Sequence, residues 1–355
     1  MIRFKPVWSD SLGAKSYSIF IPIAGYNILI DPGVAIMHGS YPASRSLKLR
    51  WRDEAYSKIR EFMEKSDIVI ITHYHHDHYL WKRDDIELYA GKRLFIKDPN
   101  CYINDRQRDR ALEFIKNIVE EVLNDSIDRY LVKPPNKMKF KDYVESYKEA
   151  LNIDLGDYNE RRRELLEKGR EWFKKRVENW LKIMWIKEIS TKELSISFAD
   201  CKEIMLNDLR IRFTKPLYHG IEYARTGWVF SIIIEYANDK LIYTSDLQGP
   251  TIEDYASWIV RENPRILILD GPPTYLIPYM LNMYNFRRCV NNVIRIIEET
   301  KDLRLVIYDH HLTRDPKYKD RVSTIYKVAR DRGVEITTVA EYLGLTPALE
   351  LIKKG

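Results

Sequence analysis

Apolar and polar residues alternate in blocks along this 355-residue chain. Near the start, "YSIFIPIA" and "YNILI" flank Gly25, which predicts two strands joined as a hairpin; the second run stops at Asp31-Pro32-Gly33. "RDEAYSKIREFMEKS" then sets Ala55, Ile59, Phe62 and Met63 at helical spacing. The next run, "DIVII", is continuously apolar and suits a strand covered on both faces. From about 100 to 195 the period changes. "ALEFIKNIVEEVL" aligns Ala111, Ile115, Ile118, Val119 and Val122 on one helical face, and "RRRELLEKGREWFKKRVENWLKIMWIK" aligns Leu166, Phe173, Val177, Trp180 and Met184. Strand-like runs return in "LRIRF", "WVFSIIIEYA", "KLIYTS", "RILILD" and "LRLVIYD", with helical segments such as "VNNVIRIIEET" between them. The pattern predicts one α/β domain over 1–355 that carries a helical insertion at 100–195.

A faint internal repeat adds to this. "NILIDPG", a helix and "DIVIITHYHHDH" parallel "KLIYTSDLQGP", a helix and "PRILILDGPPTY". In each half a strand ends at an aspartate and a second strand ends in a polar cluster, so Asp270 and Tyr275 are expected beside whatever the histidine cluster builds.

Composition narrows the class. Hydrophobic residues at 45%, with 24 tyrosines and 8 tryptophans, supply enough apolar surface for a folded core. Apolar runs fall short of a membrane span, and "MIRFKPVWSDS" lacks the apolar stretch of a signal peptide. Three scattered cysteines fit a reducing compartment, so a cytoplasmic protein is expected, without a membrane partner. The net charge of +6 arises from 58 basic and 52 acidic residues, which is dense mixed charge and weak support for nucleic acid. Many ion-pairing residues with only two glutamines, Gln107 and Gln248, suggest a thermophile.

Four of the eight histidines lie in "HYHHDH", where His73, His75, Asp77 and His78 fit H-x-H-x-D-H. Side chains two apart on an extended chain point the same way, so His73 and His75 can share one cation while the following turn offers Asp77 and His78 to a second. Imidazole and carboxylate donors without a thiolate suit zinc, with manganese or iron as alternatives. His76 fills the variable position and is expected to point away; His38 has only loop surroundings.

These residues resemble the metallo-β-lactamase superfamily, closest to an archaeal branch of predicted hydrolases. The resemblance implies an αββα sandwich and two divalent metal ions. It assigns Asp31 in "ILIDPG" to the shell behind the ligands, His219 in "PLYHG" to the His73/His75 site, Asp246 in "YTSDLQG" to a bridge between the metals, and His310 in "VIYDHHLTRD" to the Asp77/His78 site, with His311 as its competitor. It also implies hydrolysis by a metal-bridging hydroxide, with Asp77 orienting it or passing a proton. The substrate expected is a phosphate ester or phosphodiester, the alternative a lactone, thioester or other acyl compound.

Spacing trims the choices within that superfamily. Only 64 positions separate Asp246 from His310, too few for the β-CASP domain, and 27 separate His219 from Asp246, too few for the arm of the tRNase Z type. Diiron redox members typically carry glutamate where this chain has His75. The long gap, His78 to His219, holds the insertion, whose net charge from 101 to 190 is only +2. A lid over the pocket is expected before an RNA grip, although nucleic acid stays open as a partner, as does the oligomeric state. Arg225 in "YARTGW" is the nearest candidate cation for an anionic substrate, with a structural ion pair as the alternative.

Overall fold

The computed structural model describes residues 2–354. Two seven-stranded sheets face each other. The first runs, in spatial order, Lys5–Ser9, Tyr17–Ile23, Tyr26–Ile30, Ile68–Ile71, Arg93–Ile96, Ser195–Phe198 and Ile189–Ser190. The second runs Glu203–Leu206, Leu209–Phe213, Ile232–Tyr236, Asp239–Tyr243, Ile266–Asp270, Leu305–Asp309 and Glu335–Thr337. Alternating side chains sort into layers. Ile28, Ile30, Ile68 and Ile70 meet Ile232, Ile234, Leu241 and Ile268 between the sheets. Their neighbours Leu29, Val69 and Ile71 face outward against Ile59, Phe62, Phe114 and Ile118, which lie on helices Arg45–Glu64 and Asp105–Val122. On the far side, Ile233, Ile242, Leu267 and Val306 pack under helices Glu253–Glu262, Met283–Glu299 and Ser323–Asp331. This is the αββα sandwich that the sequence led us to expect. No helix among the described residues is long and apolar enough to cross a membrane.

The hairpin at Gly25 forms, with Ile23 opposite Tyr26 and both loop residues left-handed (Ala24 φ 51°, Gly25 φ 83°), the backbone of a type I′ turn. The internal repeat is visible as topology. Tyr26–Ile30 pairs in parallel with Ile68–Ile71 across a helix, and Asp239–Tyr243 pairs in parallel with Ile266–Asp270 across another.

Two helices differ from their sequence reading at their ends. The first begins at Arg45, seven residues before the predicted start, because the Ser44 side chain accepts from Leu47 N and Leu47 and Trp51 extend the apolar stripe. The helix Asn159–Trp180 stops short of Met184, which is 43% exposed. Beyond it Trp185–Ile186 pairs with Leu131–Val132, and Trp185 Nε1 donates to Trp180 O at 2.7 Å.

Residues 100–195 occupy two places. Helix Asp105–Val122 belongs to the outer layer of the sandwich. The helix Asn159–Trp180 lies against the 217–229 loop, where Phe173 and Trp180 cluster with Tyr218 and Trp228, and Trp172 stacks on Trp228 at 5.3 Å. A buried ion network reinforces that contact: Glu222 accepts from Arg162 and Arg288, and Arg288 also holds Glu253.

The functional ends of the strands meet at one edge of the sandwich, and the chain turns sharply there. Asp31, Ser245 and His310, just past three strand ends, all have left-handed backbones (φ 46°, 56° and 40°), a conformation that non-glycine residues hold at a cost of about 1–3 kcal/mol where surrounding contacts enforce it. Gly33 supplies the clearance. A Cβ there would fall 2.1 Å from Tyr79 N and 2.2 Å from His78 N. Gly33→Ala is therefore expected to lower unfolding free energy by about 1–3 kcal/mol, as overpacking against rigid backbone does. A urea midpoint equal to that of the parent, at equal slope, would contradict this close approach.

Candidate metal centre

The turn after Ile68–Ile71 carries the histidine cluster, and Asp31 holds it. One buried carboxylate oxygen accepts from Thr72 N at 2.8 Å; the other accepts from Thr72 Oγ1 at 2.7 Å, His78 Nδ1 at 2.9 Å and Tyr243 OH at 2.7 Å. Because His78 Nδ1 donates to Asp31, that imidazole turns Nε2 toward Asp246. His310 is oriented the same way, its Nδ1 donating to Ser16 O at 3.0 Å. His75 has Gln107 Nε2 at 3.5 Å from its Nε2, which leaves Nδ1 facing His73 Nε2 at 3.0 Å.

All seven expected ligands come together. His73, His75, His219 and Asp246 form one group, and Asp77, His78 and His310 a second; within each, one donor atom per residue lies within 4.8 Å of the others. Asp246 sits between the groups. Its Oδ2 is 3.0 Å from His219 Nε2 and 3.4 Å from His73 Nε2, and its Oδ1 is 3.2 Å from His78 Nε2 and 3.4 Å from His310 Nε2. Yet His78 Nε2, His219 Nε2 and Asp246 Oδ1 are buried without a hydrogen-bond partner among the described residues. Donor atoms that converge without hydrogen-bond geometry fit divalent cations, which would satisfy lone pairs that are otherwise costly to bury.

The electrostatics of the protein alone are strained in the same sense. Burial, with His78 adjacent, holds His73 down to about 4, and burial with His73 and His219 holds His75 well below the ordinary histidine range. Burial opposes charge on His78 and His310 too, but Asp246 and Asp31 outweigh it for His78, which is pushed well up, and Asp10 and Asp246 outweigh it for His310, raised to about 10. Burial would likewise raise Asp77 and Asp246, but the surrounding imidazoles, and Arg314 beside Asp77, hold both well below the carboxylate range. The carboxylates are thus held ionised and His73 and His75 neutral, the states that ligate metal, whereas His78 and His310 are held protonated by the carboxylates around them and would each release a proton on binding a cation.

Of the other expected residues, Asp31 lies behind the ligands as described. Asp270 is fully buried and accepts from His311 Nδ1 at 2.9 Å and Gln248 N at 2.8 Å, so it borders the cluster through His311, whose Nε2 is 4.0 Å from Asp246 Oδ2. Burial and the Asp246 charge push Asp270 well above the usual range. Tyr275 OH lies 3.5 Å from Arg314 Nη1, and its ring stacks on His38 at 4.7 Å. His76 stacks on Trp81, away from the ligands. Arg225 is not brought to the cluster. Its guanidinium lies over the Trp172 ring at 5.4 Å, and its carbonyl accepts from Asn104 Nδ2, which turns the side chain toward the surface of the helix Asn159–Trp180.

Sequence reading missed the cation that does reach the site. Arg314 is buried, ion-pairs with Asp10, approaches Asp77 Oδ2 at 3.3 Å and lies 3.5 Å from His310 Nε2. Its position in "HHLTRD", four residues after His310, was the available signal. Lys15 joins it. Lys15 is within electrostatic reach of Arg314, Asp77 and Asp10, and no described residue forms a hydrogen bond or ion pair with its ammonium. The segment "SDSLGAKS" that supplies Asp10, Lys15 and Ser16 carries no recognisable motif.

No family model matches the sequence. Among solved structures, an isothiocyanate hydrolase from Delia radicum gut bacteria aligns with 94% of this chain and 95% of its own at 11% identity and a TM-score of 0.44. A mutant metallo-beta-lactamase from Cronobacter sakazakii aligns with 100% and 95% at 12% identity and a TM-score of 0.34. Sequence relatives are nearer. The UPF0282 protein of Pyrococcus furiosus is 30% identical over 365 residues, covering 99% of this chain and 91% of the relative. That of Aeropyrum pernix is 31% identical over 354 residues, covering 98% and 95%. Identity of that degree along essentially the whole length makes this chain a member of the UPF0282 family.

Proposed function

We propose that the protein is a dinuclear metal-dependent hydrolase acting on a phosphate ester or phosphodiester. The observation that carries the reading is the pair of donor groups joined by Asp246, with buried nitrogen and oxygen atoms that the protein itself leaves without hydrogen bonds. His73, His75 and His219 would hold one ion, Asp77, His78 and His310 the other, and Asp246 would span both. Zinc suits this donor set, with manganese or iron as alternatives. Such ions supply an activated water and a Lewis acid for the developing negative charge.

The chain's own groups define the rest. Asp31 and Ser16 fix the tautomers of His78 and His310. His78 and Arg314 beside Asp77 keep its carboxylate ionised. His311, backed by Asp270, presents Nε2 near Asp246. The preference for a phosphate rests on Lys15 beside Arg314. Arg314 is ion-paired with Asp10 and Asp77, whereas Lys15, attracted by the same carboxylates, forms no ion pair with a described residue and can turn to an anionic oxygen.

Two outcomes are expected. Asp246→Ala loses both ions and all measurable turnover, whereas His75→Ala loses chiefly the ion of its own group; elemental analysis of the purified proteins reads both, and full metal content in the Asp246 variant would sink the assignment. Lys15→Ala should raise KM for bis-p-nitrophenyl phosphate about tenfold, equivalent to about 1.4 kcal/mol, while leaving p-nitrophenyl acetate hydrolysis unchanged. Equal effects on both substrates would remove the case for an anionic substrate and favour the acyl alternative.

A further inference from the structure

A second cavity, of about 620 Å³, opens on the outer face of the second sheet. Arg212 and Ile233 lie on its floor, Tyr255, Trp258 and Arg261 of the helix Glu253–Glu262 on one wall, and residues 146–149 on another. It shares no residue with the metal-ligand groups. Its size falls within the range of about 300–1,000 Å³ typical of small-molecule sites.

The charges around it do not cancel. Its three carboxylates are already engaged: Asp254 accepts from the backbone of Lys148, Glu149 and Ala150, Glu149 from Ser257 and Arg295, and Glu203 from Arg210. Two of its cations are likewise matched, Arg212 by Glu235 and Glu262, and Lys202 by Glu188. Lys148, Lys215 and Arg261 remain, and no described residue forms a hydrogen bond or ion pair with their charged ends. Lys215 is the most informative. It is half-buried, with its ammonium 4.8 Å from the Tyr143 ring and 5.7 Å from that of Tyr147, and Asp254 attracts it from within electrostatic reach without forming an ion pair. Burial, with Lys141 adding repulsion, outweighs the attraction of Asp254 and holds its pKa below the ordinary lysine range.

We propose that this cavity binds a small organic anion with more than one negative charge, set against Lys215 and Arg261 with its carbon part on Trp258. A phosphate monoester and a dicarboxylate share that chemistry, and the site is independent of the hydrolase reading. Calorimetric titration of the intact protein with AMP and, separately, succinate tests it. At least one is expected to bind at one per chain, with affinity reduced about tenfold in both Lys215→Met and Arg261→Ala and unchanged in Asp246→Ala. Binding of AMP alone identifies the phosphate class, and of succinate alone the carboxylate class. The proposal fails if neither binds, if the two cavity variants bind as the parent does, or if Asp246→Ala abolishes binding, which would move the anion to the metal centre. Arg261 is exposed, so its variant remains informative if Lys215→Met does not fold.

Discussion

The four donors on the Asp31 carboxylate hold the structure's functional edge together. A buried carboxylate is costly unless its oxygens are met by hydrogen-bond donors. Here two donors come from Thr72, one from His78 and one from Tyr243, a residue of the opposite sheet. The arrangement also decides a register that hydrophobicity leaves open. Both faces of Ile68–Ile71 are buried, so slipping that strand by one residue would exchange one apolar set for another at little cost. Thr72 bonded to Asp31, with Asp31 N donating to Ile70 O at 2.8 Å, pins the strand end and so the positions of His73 to His78.

Asp246 is the counterpart in the second half, and the contrast is informative. Both carboxylates are essentially inaccessible, and both follow a central strand of their sheet. Asp31 is saturated by donors from the protein. Asp246 is surrounded by imidazole nitrogens whose other ring atoms are, for His78 and His310, already engaged, and its Oδ1 has no hydrogen bond among the described residues. One carboxylate serves the chain and the other faces outward from it, the division expected of a metal site with its supporting shell.

The sequence was legible where local pattern and tertiary role coincide. The apolar runs marked the strands, the H-x-H-x-D-H spacing marked one half of the cluster, and the resemblance to the metallo-β-lactamase superfamily supplied His219, Asp246 and His310. Arg225 went astray for a different reason: proximity in sequence to His219 fixes where its backbone lies, while a tryptophan 53 positions earlier, Trp172, fixes where its guanidinium goes. Lys15 and Asp10 were silent, and Arg314 nearly so, for the complementary reason. They acquire meaning only when residues some 300 positions apart, such as Asp10 and Arg314, are brought together by the fold.

Helix ends and the 100–195 segment show the same limit at larger scale. Helical period reports a face but not what the face meets. Asp105–Val122 and Asn159–Trp180 both read as amphipathic helices, yet one closes the sandwich while the other supports the loop carrying His219. The junction between them is chemical. Asn104 caps the first helix through Gln107 N and reaches Arg225 O and Thr226 O, while Gln107 bonds Thr226 O and Tyr74 N and faces His75. One of the chain's two glutamines thus links the histidine turn to the His219 loop. The group of His73, His75, His219 and Asp246 is thus supported by the segment that, in sequence, most resembled an addition to the fold.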